Sequence, residues 1–238
     1  MTSGVEATHA SSPPVVTVDG PAGSGKSTLG RRLAIQLALP FVDTGLFYRG
    51  LLVAALRAGV SVEDGDALAA LAARTRLEIN VDPRSSADRS QVRIDGEEAG
   101  PALRDPRHAS MLSVLSREPA VRAALLRPQR ALAAKGAVAA GRDCGTVVFP
   151  DATLKIYLEA PEAVRTGRRA AELRETLPAV DDELLREEIG GRDDIDSQRV
   201  VAPLQRPPDA RVIDTSSLGI EEMVAQALEW CRDVGLLR

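Results

Sequence analysis

Histidine and cysteine are nearly absent from this 238-residue chain, at two of each, and that scarcity removes several chemistries at once. Cys144 and Cys231 cannot build a disulfide framework and match no metal-ligand spacing. Cys231 continues a helical apolar stripe, and Cys144 reads as a small buried filler rather than a nucleophile, with no histidine near it in sequence. His9 and His108 stand apart, which leaves little support for imidazole-based catalysis. Aromatic residues make up only 3% of the chain, so Ala, Leu and Val must build the core. No apolar run approaches the ~18 residues of a membrane span. The opening "MTSGVEATHASSPP" lacks the basic-then-apolar order of a signal peptide, so residues 1–13 read as a disordered tail and the protein as cytoplasmic. A net charge of −4 argues against general affinity for nucleic acid or anionic membrane.

What remains is an ordinary globular composition, 44% hydrophobic and 27% charged, with enough length for one domain over 14–238 or a core carrying an insertion. Five short apolar runs read as buried strands: "VVTVD" (15–19), "FVD" (41–43), "AVAAG" (137–141), "LKIYLEA" (154–160) and "RVIDT" (211–215). Leu29, Leu33 and Leu37 share a face, so 26–38 is a helix behind the first strand. "YRGLLVAALRAG" is a second helix closed by Gly59, and Ile220, Met223, Val224, Ala227, Leu228 and Cys231 line one face of a last one. Strands alternating with helices imply an α/β fold, a parallel sheet flanked by helices. Between 72 and 112 the pattern changes to short alternating segments, with "DGEE" as a turn signal, the mark of an inserted antiparallel β segment. The helix "PAVRAALLRPQRALAAKG" follows, and its interior Pro128 should kink or divide it. A charged helical region occupies 161–199.

"GPAGSGKS", Gly20 to Ser27, satisfies the G-x-x-x-x-G-K-S pattern, with a strand before it and a helix after. Gly20, Pro21, Ala22, Gly23, Ser24 and Gly25 form a loop whose amides can face phosphate oxygens, with Thr28 in the helix behind. Lys26 reaches the β- and γ-phosphates, and the Ser27 hydroxyl is the one protein ligand expected for Mg²⁺. The chain therefore binds a nucleoside triphosphate in a P-loop NTPase fold. No N-K-x-D motif points to a GTPase.

Several arginines cluster in places that a parallel sheet turns toward its ligand crevice. Thr44, Tyr48 and Arg49 follow the second strand. Arg142 and Asp143 end "AVAAGRD", where the acid alone would read as a metal-orienting group and the arginine as a phosphate ligand. Arg192, Asp196 and Arg199 fall at i, i+4 and i+7, and Arg165, Arg168 and Arg169 at i, i+3 and i+4. Each set alone is compatible with a solvated helix face. Together with the P-loop they form a second anion clamp. A phosphate monoester has its second pKa near ~6 and is already an ionised nucleophile at neutral pH. Transfer between two phosphates therefore needs positive charge more than a general base.

"DGPAGSGKST", "DTGLFYRG", "GRDCGTVVFPDATLKIYL" and "RDDIDSQRVVAPL" resemble the bacterial cytidylate kinases, in that order and spacing, from about residue 15 to the end. The resemblance implies transfer of the ATP γ-phosphate to CMP or dCMP with Mg²⁺, by a monomer. It implies that Thr44 and Arg49 are acceptor-site residues, Arg49 on the CMP phosphate, and that Ser113, Arg122 and Asp143 surround the cytosine, Asp143 accepting from its exocyclic amine. Arg142 and Arg192 would be phosphate ligands, Asp196 and Arg199 would hold the sugar and base side, and Arg165 and Arg169 would close a lid at about 165–195. The 72–112 insertion matches the monophosphate-binding segment of that family. The chain departs from the family pattern at Leu46 and Phe47, which would add bulk near the acceptor pocket, at Cys144, and at Ile195, where some members carry a basic residue. A kinase for another monophosphate such as UMP, and a non-catalytic nucleotide-binding regulator, are the rival readings.

Overall fold

The computed structural model describes residues 13–85, 92–176, 192–199 and 201–238; the tail at 1–12 and most of the expected lid, 177–191, lie outside them. Five parallel strands form the central sheet: β1 (Val15–Asp19), β2 (Phe41–Asp43), β6 (Ala137–Gly141), β7 (Leu154–Glu159) and β8 (Arg211–Asp214), in the order β2-β6-β1-β7-β8. The run VVTVD is apolar on both faces because β1 is the middle strand, pairing with β6 at Val16↔Val138 and with β7 at Val18↔Ile156. Helices on both sides cover it, which is why these strands read as continuous apolar runs and not as alternating ones.

Helix α1 (Lys26–Leu37) buries Leu29, Leu33 and Ala34, and with helix α8 (Ile220–Asp233), which buries Met223, Val224, Ala227 and Cys231, it closes one core against the sheet. A second cluster gathers helices α2 (Gly45–Ala58), α3 (Gly65–Arg74), α4 (Ala109–Arg117) and α5 (Pro119–Ala131) around Leu51, Leu68, Leu115 and Leu125. Helix α2 stops at Gly59, whose φ of 65° supplies the left-handed cap that only glycine adopts cheaply.

The inserted segment is a three-stranded antiparallel sheet, β3 (Leu77–Ile79), β4 (Val92–Ile94) and β5 (Glu97–Glu98). Its hairpin turns through Asp95 and Gly96, both at positive φ (51° and 89°), with Ile94 opposite Glu97. A two-residue Asp-Gly loop of that geometry matches the natural strand twist.

Three expectations are corrected. Helix α4 begins at Ala109, inside the stretch read as strand-rich, because Leu112 and Leu115 supply a helical stripe after a proline-marked turn at Pro106. Pro128 does not divide α5, which runs on to Ala131; lying in the last turn, the proline forfeits only one late backbone bond. Leu46 and Phe47 do not crowd the acceptor pocket: both are buried in the α2–α5 core, on the side of α2 away from the cleft.

Candidate active site

In a parallel sheet whose neighbours change direction at β1, ligands meet the C-terminal strand ends. Here those ends are Asp19, Asp43, Gly141, Glu159 and Asp214. Beyond the first three opens a cleft of about 520 Å³.

The donor half is the loop after β1. Gly23 and Gly25 turn through positive φ, and α1 begins with neither a side-chain cap nor an acidic residue in its first turn. Its first amides thus lack protein acceptors of the usual kind, which suits a helix start that receives phosphate. Ala22, Gly23, Gly25, Lys26, Ser27 and Thr28 line the cleft. The Lys26 ammonium donates to the Pro21 carbonyl at 2.5 Å. Ser24 lies under the loop, its buried hydroxyl without a hydrogen-bond partner among the described residues. Gly20 stands behind the lining, where its carbonyl accepts from Arg142 at 3.2 Å.

The acceptor half comes from four elements. Thr44 is buried at the start of α2, its hydroxyl bonded to the Ala140 carbonyl at 3.0 Å. One turn later Tyr48 packs under the Arg122 guanidinium, 5.4 Å from the ring centroid; burial pushes its phenol up to about 12. Arg49 lines the same cleft and donates to the Leu103 carbonyl.

From α5, Arg122 donates to the carboxylate of Asp143 in a buried pair with side-chain exposures of 6% and 7%. Burial opposes the charge on Arg122, but Asp143 outweighs it and holds the guanidinium above its ordinary pKa. Arg142 reaches the other way, to Asp196 at 2.5 Å. That acid, fully buried in helix α7 (Arg192–Ser197), also accepts from Arg199. Arg199 lies just past the end of α7 rather than on it; burial lowers its pKa despite Asp196. The Nε donors of Arg122 and Arg199 are buried without a partner among the described residues. At the wall of a cleft, such donors are open to an acidic or carbonyl ligand.

So Lys26, Ser27, Thr44, Tyr48, Arg49, Arg122, Arg142, Asp143, Asp196 and Arg199 come together on one cleft. Ser113 does not line it. The serine that does is Ser116, one turn along α4, which accepts from Arg199 at 2.8 Å through its hydroxyl and from Arg122 at 2.9 Å through its carbonyl. The i, i+3 spacing of the two serines was the available signal. Arg165, on helix α6 (Glu162–Thr176), is buried against the back of the donor loop, donating to the carbonyls of Ala22 and Ala160. The side chains of Arg169 and Arg192 lie outside the described residues.

Sequence reasoning also missed Gln129, buried in α5, which donates to the Thr44 carbonyl and bonds the Tyr48 hydroxyl. It missed Asp19, treated below. Cys144 is buried, its thiol pushed well above the usual range by desolvation, consistent with a filler.

A family model described as cytidylate kinase matches residues 16–233. The chain belongs to the cytidylate kinase family. Among curated relatives, the cytidylate kinase of Sodalis glossinidius is 42% identical over 93% of this chain and 96% of its own length. The cytidylate kinase of Pelotomaculum thermopropionicum is 41% identical over 89% and 92% respectively. The shikimate kinase of Acinetobacter baumannii, a solved structure, is 15% identical with a TM-score of 0.41, covering 94% of this chain and 96% of that one.

Proposed function

We propose that the protein transfers the γ-phosphate of ATP to CMP or dCMP, giving ADP and CDP or dCDP. The observation that carries this reading is the meeting, in one cleft, of a P-loop with seven arginines and with two buried acids, Asp143 and Asp196, that pair with three of them. A regulator that only sensed a triphosphate would have no use for a second anion clamp.

In the reaction a CMP phosphate oxygen attacks the γ-phosphorus, and the bond from that phosphorus to the β,γ-bridging oxygen breaks. The electron pair of that bond leaves with ADP, and no proton need move before attack. Lys26 and the loop amides hold the donor phosphates. Arg49 and Arg142 hold the acceptor phosphate and offset the repulsion between the two anions. Asp143, paired with Arg122, accepts from the exocyclic amine of cytosine, and uracil offers a carbonyl oxygen there instead. Asp196 and Arg199 face the sugar, Arg169 and Arg192 belong to a lid over 165–195 that excludes water when it closes, and Arg165 at the base of that lid braces the donor loop through the Ala22 carbonyl.

Mg²⁺ fits a nucleotide-borne role: Ser27 offers an exposed hydroxyl at the cleft, and no cluster of three His, Cys, Asp or Glu among the described residues would hold a metal unaided. An ion that takes one protein oxygen and keeps phosphate and water for the rest suits that arrangement. Within 14–238, the 72–112 insertion forms the monophosphate side. We further read the enzyme as a cytoplasmic monomer of pyrimidine nucleotide metabolism; no helix among the described residues is long and apolar enough to cross a membrane.

Coupled turnover with MgATP and a panel of monophosphates tests the proposal, with the highest kcat/KM expected for CMP or dCMP. Preference for UMP would overturn the acceptor assignment, and no turnover with any monophosphate would overturn the enzyme.

A further inference from the structure

Asp19 ends the middle strand immediately before the donor loop and is 1% exposed. It is not among the residues that line the cleft. One carboxylate oxygen accepts from the Cys144 amide at 2.8 Å and the other from the Gly145 amide at 2.7 Å. Those amides open a single π-helical turn, Cys144–Val148, in which Val148 and Phe149 bond back five residues to Asp143 and Cys144. The turn begins directly after Arg142 and Asp143, the two side chains assigned to the acceptor. A third link runs the same way, from Arg142 to the carbonyl of Gly20, the first residue of the donor loop. Residues 19–20 and 142–145, more than 120 positions apart, are thus joined by three hydrogen bonds.

The fit leaves no slack. A Cβ on Gly145 would stand 2.9 Å from the Thr17 hydroxyl and 3.2 Å from the Asp19 carboxylate, so only glycine lets the turn come this close. A buried carboxylate is a costly device where a neutral acceptor would serve. Desolvation pushes this one up to about 6 even against the two amides, with the Asp143 charge adding to the rise. Stability alone gives no reason to keep it.

We propose that Asp19 is a positioning residue that fastens the acceptor turn to the mouth of the donor loop and so fixes the separation of the two phosphates. The inference rests on the kinase reading above. In-line transfer is steeply sensitive to this separation, because a displacement of about 1 Å is enough to cost roughly 10²-fold in rate. Each nucleotide, by contrast, binds mainly to its own loop.

The Asp19→Asn variant tests it. Asparagine keeps the shape but turns an NH₂ toward one of the two amides, which breaks one fastening and repels. The expected result is a kcat lowered at least about 30-fold, with the separate affinities for MgATP and for CMP, measured by titration of each alone, close to those of the parent. Gly145→Ala, which pushes the turn off from its other side, should lower kcat in the same way. A kcat within twofold of the parent in a folded Asp19→Asn protein, or both single-ligand affinities collapsing together with kcat per bound complex intact, overturns the proposal. If the variants do not fold, the parent still decides the matter. The Cys144 and Gly145 amides should stay protected from hydrogen exchange when either nucleotide is bound, and loss of that protection counts against the fastening. Failure of the kinase reading is seen separately, as absence of turnover in the parent.

Discussion

Arg142→Ala lowers kcat/KM for CMP by roughly 10³-fold, the range expected when an arginine that neutralises a transferring phosphoryl group is lost. The structure gives this side chain two partners, buried Asp196 and the Gly20 carbonyl, and the proposed function adds the acceptor phosphate. Arg142→Lys should recover little of the loss. A lysine ammonium is a single point charge and cannot bridge a carboxylate, a carbonyl and a phosphate in one plane. Initial rates at saturating MgATP, with CMP varied, check this. A loss below about tenfold would reduce Arg142 to a structural partner of Asp196.

Asp143→Ala raises the KM for CMP by about 100-fold and leaves the KM for ATP nearly unchanged, because in the proposed function the carboxylate serves the acceptor base and not the donor loop. The magnitude is that of an unpaired polar contact in a site built to bond it, about 2–3 kcal/mol. The variant also strands Arg122, whose side chain is only 6% exposed. Breaking such a buried pair costs about 3–5 kcal/mol, so the melting temperature should fall and kinetics belong well below it. Asp143→Asn separates the two effects. Its oxygen can still face Arg122, which leaves the NH₂ to meet the base. The amide then donates where the acid accepted, and the ratio of CMP to UMP turnover should fall. Loss of MgATP affinity in either variant would mean that the carboxylate serves the other nucleotide.

The donor loop was legible because its pattern is contiguous: eight residues, Gly20 to Ser27, carry the whole motif, the last two of them already in α1. The central strands were legible because burial on both faces writes itself as an uninterrupted apolar run, as in VVTVD and AVAAG. Arg142 and Asp143 were found by the same logic, sitting at a strand end. Ser113 came from the family resemblance alone, and the place of Ser116 on the cleft was not legible, because sequence shows which residues share a helix face but not which turn of the helix reaches the cleft. Gln129 and Asp19 escaped for another reason. Each acts through a partner 85 or more positions away, the Thr44 carbonyl for Gln129 and the Gly145 amide for Asp19, and no local pattern announces a contact of that length. The displaced bulk of Leu46 and Phe47 makes the same point in reverse: adjacency to Thr44 in the chain did not make them neighbours of the pocket.

The Asp196 carboxylate, enclosed between Arg142 and Arg199, has a consequence for which anions the enzyme admits. Arg142 and Arg199 already share one carboxylate, and it is tethered to the chain. An intramolecular carboxylate competes at an effective concentration far above that of a free ion in solution, so a small anion gains little by entering. CMP is different, since it offers phosphate, sugar and base together, and in the proposed function its sugar takes up the Asp196 carboxylate that its phosphate releases from Arg142. Inorganic phosphate should therefore be a poor competitor of CMP, which inhibition kinetics measures directly; a phosphate inhibition constant near the KM for CMP would refute it. The internal ion pair, on this view, serves as a doorkeeper.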